Sequence, residues 1–139
     1  MDIKVGKGLW NGIWKLKVPN KVRHFLWQAI RESLPTKSIL HRCQVLNSGI
    51  CDACGDYIED GIHTLWLCDA IKPIWMLDAR FFFLRAYQFS NFGDLFQFLC
   101  LRGSSNLIAL FAMASWGIWE RRNRMREGQK SWGIKTMLQ

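Results

Sequence analysis

Acidic residues are scarce in this chain: eleven Asp and Glu stand against nineteen Lys and Arg, a formal net charge of +8. The last acid is Glu127, so the tail beyond it has no set of carboxylates to hold the paired metal ions of a nuclease. Long apolar runs are also missing. The longest, residues 107–119, is thirteen residues and falls short of the roughly 18 to 20 that span a bilayer. The N-terminal MDIKVGKGLWNGIWKLK mixes lysines with glycines and tryptophans, unlike a secretory leader. These absences speak against secretion and membrane insertion and predict an intracellular protein of nucleus or cytoplasm. The five cysteines are an odd number, which speaks against a disulfide framework. No nucleophile–base pair is evident, and Gly6-Lys7-Gly8 lacks the strand and helix that make a phosphate-cradling loop. An enzyme is therefore the least favoured class.

What the chain does have is apolar bulk. Half of its 139 residues are hydrophobic, including eight Trp and nine Phe, enough for one domain with its own core. The patterning is helical throughout, and the expected fold is mainly α. Trp10 and Trp14, four apart, fit one short helical turn. Val22, Phe25, Leu26, Ala29 and Ile30 repeat at helical spacing and predict an amphipathic helix, with Asn20 as its cap. Leu34-Pro35 breaks it, and Thr36 caps a second helix carrying Ile39, Leu40, Cys43 and Leu46. Cys43 and Cys100 read as packing residues, and His24 and His41 as members of solvated faces. Residues 81–101 predict one or two helices joined around Ser90-Asn91-Phe92-Gly93. A further helix of about twenty residues runs to Glu127, its basic end Arg121, Arg122, Arg124 and Arg126 placed where the helix dipole favours cations.

Charge is unevenly spread: residues 1–50 sum to +7 and residues 80–139 to +6, but residues 51–79 to −5. This acidic middle holds the chain's main chemical signal. Cys51 and Cys54 form a C-x2-C pair, His63 follows after eight residues, and Cys68 after four more. Two thiolates at that spacing reach one ion from a single tight turn, and Gly55 lets the backbone turn sharply behind them. Four soft or borderline donors without a carboxylate suit one tetrahedral zinc ion, with every position taken by protein as in structural sites. The competing reading, buried free cysteines and a core histidine, must explain four such residues within eighteen. A thioredoxin-like pair would need a βαβ unit, which the pattern lacks.

With helices and donors placed, a resemblance emerges. Residues 14–22, WKLKVPNKV, lead to Phe25-Leu26-Trp27; then come Leu34-Pro35-Thr36, Cys51-x2-Cys54-Gly55, Glu59, His63, Cys68 and Trp75. In order and spacing this series resembles the reverse transcriptase zinc-binding domain of plant LINE-type non-LTR retrotransposons. Trp116-Gly117-Ile118-Trp119-Glu120-Arg121-Arg122-Asn123 is similar to a stretch that often follows that domain, ahead of an RNase H domain. Thr64 and Asp69 stand where the family usually has Leu and Pro; neither is a ligand.

The resemblance implies a zinc-binding domain over residues 10–79, a helical segment over 80–127 linking towards an RNase H domain not in this chain, and a tail over 128–139. It also implies a polyprotein fragment that carries no polymerase Tyr-x-Asp-Asp motif. The function expected is a non-catalytic zinc module binding RNA or DNA. Its phosphate contacts would come from Lys15, Lys17, Lys21, Arg23, Arg31, Arg121, Arg122, Arg124 and Arg126, with Trp27 for base stacking. The alternatives are a scaffold docking other polyprotein segments, which the acidic knuckle fits, and a relic without selected activity.

Overall fold

In the computed structural model the backbone is described over residues 3–138 and the side chains over residues 8–127. Among the described residues six α-helices occur in order: α1 (Ile3–Lys15), α2 (Asn20–Ile30), α3 (Lys37–Arg42), α4 (Lys72–Trp75), α5 (Phe92–Arg102) and α6 (Ser105–Leu138). A π-helical turn, His63–Leu67, and 3₁₀ turns at Asp69–Ile71 and Ala79–Ala86 fill the middle. Among the described residues extended structure is confined to one antiparallel bridge, Ile50 to Ile58. The mainly α fold expected from the periodicity is the fold observed.

α2 is the central strut. Its predicted apolar face, Val22, Phe25, Leu26, Ala29 and Ile30, is buried in full, and the helix packs against α1, α5 and α6. Helical propensity alone would not form so short a helix; burial of that stripe does. Asn20 does not cap it. Pro19 takes the N-cap position without a side-chain bond, and Asn20 Oδ1 instead accepts from Arg23 Nη1.

Three boundaries differ from the sequence reading. α1 is a thirteen-residue helix rather than one turn, in spite of its glycines. Leu9 and Ile13 are buried one turn apart, and Trp10 meets Trp27 at 4.1 Å between ring centroids, so packing outweighs glycine's poor propensity. α3 is shorter than expected. Thr36 caps it as predicted, accepting from Ile39 N, but the helix closes at Arg42 and Gln44 adopts φ 64°. Cys43 is thereby left exposed at the C-cap and not packed. α6 runs past Glu127 to Leu138, through the backbone of the expected tail, whose side chains lie outside the described residues.

One core joins α1 to α6. At its centre Phe111 of α6 lies among Trp66 of the π turn, Trp75 of α4, Phe81, and Phe92 and Phe96 of α5, with Trp75 stacked on it at 4.8 Å. Offset and edge-on ring pairs add on the order of 1 kcal/mol each beyond buried area. The Cys/His segment is thus built onto the helical body rather than hung from it.

Candidate metal centre

The backbone sets the site up in two halves. In the first, Glu59 N donates to Gly49 O at 2.8 Å and Cys51 N to Tyr57 O at 2.8 Å, pinning a short hairpin at whose tip Cys51-Asp52-Ala53-Cys54 turns. Gly55, at φ 74°, takes a left-handed conformation there, and Gly55 N closes the turn on Cys51 O at 2.8 Å. In the second half Asp60 Oδ1 accepts from His63 N at 2.9 Å and starts the turn that carries the other two donors.

That second half is where the sequence spacing acquires its geometry. At 100° per residue, two side chains five apart in an α-helix diverge by about 140°. Here the turn widens: Cys68 N donates to His63 O at 2.8 Å, an i to i+5 bond that brings residue 68 back over residue 63. Cys68 itself is extended, with ψ 130°, so its side chain leaves the turn toward the hairpin.

The four predicted donors, Cys51, Cys54, His63 and Cys68, do converge. One ligand atom from each lies within 4.8 Å of all the others. Cys51 Sγ is 3.9 Å from Cys68 Sγ, and Cys54 Sγ is 3.5 Å from His63 Nε2. A tetrahedron with Zn–S near 2.3 Å and Zn–N near 2.0 Å has edges of about 3.5 to 3.8 Å. Those two separations match such edges, and the donor chemistry suits a single tetrahedral ion. Cys51, His63 and Cys68 are buried and Cys54 is partly so.

Protonation follows burial. Desolvation pushes the Cys68 thiol up to about 12 and raises Cys51, the latter opposed by the backbone N–H groups of Cys54 and Ala53. Cys54 goes the other way, because the backbone N–H of Asp56 bonds the thiolate. Burial lowers His63, so its imidazole is neutral and free to offer a lone pair, although Asp60, Glu59 and Asp69 pull it upward. The Cys51 and Cys68 thiols, raised by burial, lose their protons when a cation replaces them.

The cationic residues divide into free and occupied. Lys15, Lys17, Lys21, Arg31, Arg121 and Arg124 are exposed. Lys21 lies over the Trp116 ring at 4.6 Å, and Arg31 over Trp27 at 5.5 Å. Trp27 is half-buried between that guanidinium and Trp10. Arg23 donates from Nε and Nη2 to Leu16 O, which ties the α1–α2 corner. Arg122 is ion-paired with Glu59, and Arg126 is half-buried in a crevice it shares with Cys51 and Cys68.

Sequence reasoning missed Glu59 as a structural partner. It is 3% exposed, accepts from Lys37 N at 2.9 Å, and binds Arg122 through both carboxylate oxygens. Both residues stand in the recognisable series, yet nothing local links two positions 63 apart. The two cysteines outside the cluster differ. Cys43 faces solvent, and Cys100 packs half-buried against the core, its thiol raised to about 11 by burial.

The family described as zinc-binding in reverse transcriptase matches residues 3–75, just over half of the chain. A protein of Arabidopsis thaliana, provisionally named a ribonuclease H protein, is 33% identical over 66 residues. That alignment covers 48% of this chain and 11% of the relative's length. No solved structure matches.

Proposed function

The chain belongs to the family of zinc-binding domains of reverse transcriptases, and from that premise we propose that it is a non-catalytic module holding one zinc ion and binding RNA or DNA through its exposed cations. The observation that carries the reading is the closed set of four protein donors whose ligand atoms all lie within 4.8 Å of one another. Cys51, Cys54, His63 and Cys68 leave no ligand position for water, which a catalytic zinc requires. Zinc held there supplies folding free energy and no chemistry to a substrate. The segment around it is acidic, and three thiolates on a divalent ion add one more negative charge, so phosphates meet the flanking helices instead. Among the described residues, Lys15, Lys17, Lys21 and Arg31 on the α1–α2 side and Arg121 and Arg124 on α6 are exposed cations placed to meet them. Arg23 and Arg122 serve the fold.

Salt dependence and charge reversal test this directly. With roughly five phosphate contacts on a single strand, raising salt from about 50 to about 200 mM weakens binding on the order of a hundredfold. Reversing Lys15, Lys17 and Arg31 together, and Arg121 and Arg124 together, identifies the side that binds, since affinity in an anisotropy titration drops for that set. Affinity indifferent to salt and to both sets refutes nucleic-acid binding. A second reading, a scaffold that docks other polyprotein segments, is favoured by the acidic knuckle and by its exposed Tyr57 and Ile58. Under it both charge-reversed proteins keep their zinc and still bind such a segment.

A further inference from the structure

We propose that Arg122 is a positioning residue for the metal centre: its ion pair with buried Glu59 fastens α6 over the ligand-bearing turn, so that metal loading and docking of the C-terminal half of α6 are one event. Glu59 stands between the two halves of the site. Its backbone is held on both sides, N–H to Gly49 O and carbonyl from Ser38 N at 3.0 Å, so it moves only with the hairpin that presents Cys51. The next residue, Asp60, caps the turn that presents His63. Opening either half displaces the Glu59 carboxylate.

Arg122 is equally committed. Its guanidinium lies over Trp119 at 4.7 Å and donates from Nη1 to Asn123 Oδ1 at 2.9 Å, which presets the fork that Nε and Nη2 present to Glu59. The side chains are 13% and 4% exposed. A pair this dry is held by mutual need, because either charge left alone stays buried without compensation. A crevice of about 120 Å³ separates the two elements, with Cys51, Cys68 and Ile71 on one wall and Ile118, Arg122 and Met125 on the other. α6 therefore forms one wall of the metal centre although it lies outside the family-matched residues 3–75. Coupling of this kind is reciprocal: what loosens α6 weakens the metal, and what removes the metal loosens α6.

The test uses the full chain with zinc and a chromophoric chelator. Arg122→Ala weakens zinc affinity by about ten- to a hundredfold, the range for groups that orient ligands without touching the ion. Arg122→Lys, which keeps charge but not the fork, recovers part of it, and Arg102→Ala, at the exposed end of α5, leaves it unchanged. Hydrogen exchange on the wild-type chain separates coupling from general weakening. Zinc removal accelerates exchange at residues 118–127 while residues 107–112, packed in the core, stay protected. Wild-type zinc affinity in Arg122→Ala, or α6 exchange that ignores zinc, overturns the proposal, and the second result decides the matter even if the variant does not fold. The inference rests on the zinc reading: a chain that takes up no zinc fails that reading, whereas zinc binding indifferent to Arg122 fails this one alone.

Discussion

At the scale of single residues, Ser115 isolates the energetics of one buried group. It is fully buried in α6 and its hydroxyl has no hydrogen-bond partner, so it carries a desolvation penalty with no return. Ser115→Ala should raise stability by about 1 kcal/mol, seen as a higher urea midpoint at unchanged slope. A lower midpoint would show that the hydroxyl is bonded after all. Side-chain chemistry elsewhere was readable from the sequence where it is local and unreadable where it is not. The donors Cys51, Cys54, His63 and Cys68 stand out because that mixture at that spacing suits one metal ion, and they converge within 4.8 Å. Cys43 misleads, since a helical spacing has meaning only while the helix lasts, and α3 ends one residue earlier. Arg23 and Arg122 look like surface cations, but one holds the Leu16 carbonyl and the other a carboxylate far along the chain.

At the scale of elements, periodicity located the helices and tertiary contacts set their ends. The α2 stripe was legible residue by residue because five apolar side chains share one buried face. α1 was not, because its glycines argue against the helix that Leu9 and Ile13 enforce by burial. The π turn could not be read at all: a spacing of five between His63 and Cys68 names two ligands but not the i to i+5 bond that aligns them. The knuckle turn is the element whose conformation is most exacting. Gly55 sits at φ 74°, and a Cβ there would meet nothing within 4 Å, so any penalty for substitution comes from backbone strain alone. Gly55→Val is expected to destabilise the loaded chain by about 1 to 2 kcal/mol, and Gly55→Asn by less, because Asn tolerates the left-handed region. Equal denaturation midpoints for the two variants would show that the turn relaxes.

At the scale of the whole molecule, the acidic knuckle lies between two basic stretches, and the core that closes over Phe111 draws on helices from both. No helix among the described residues is long and apolar enough to cross a membrane. Composition foretold a single sizeable core. It could not foretell that the knuckle's own residues, Cys51, Cys68 and Trp66, would be part of it. Trp75 feels that merger directly. Its indole Nε1 donates to Leu65 O at 3.0 Å, a carbonyl inside the turn that bears His63 and Cys68, while its ring rests on Phe111. The chain consequently carries its own optical gauge of occupancy. Stripping the ion should shift ultraviolet emission to longer wavelengths, and the difference spectrum should shrink in Trp75→Phe, turning one indole into a dye-free readout of how full the centre is.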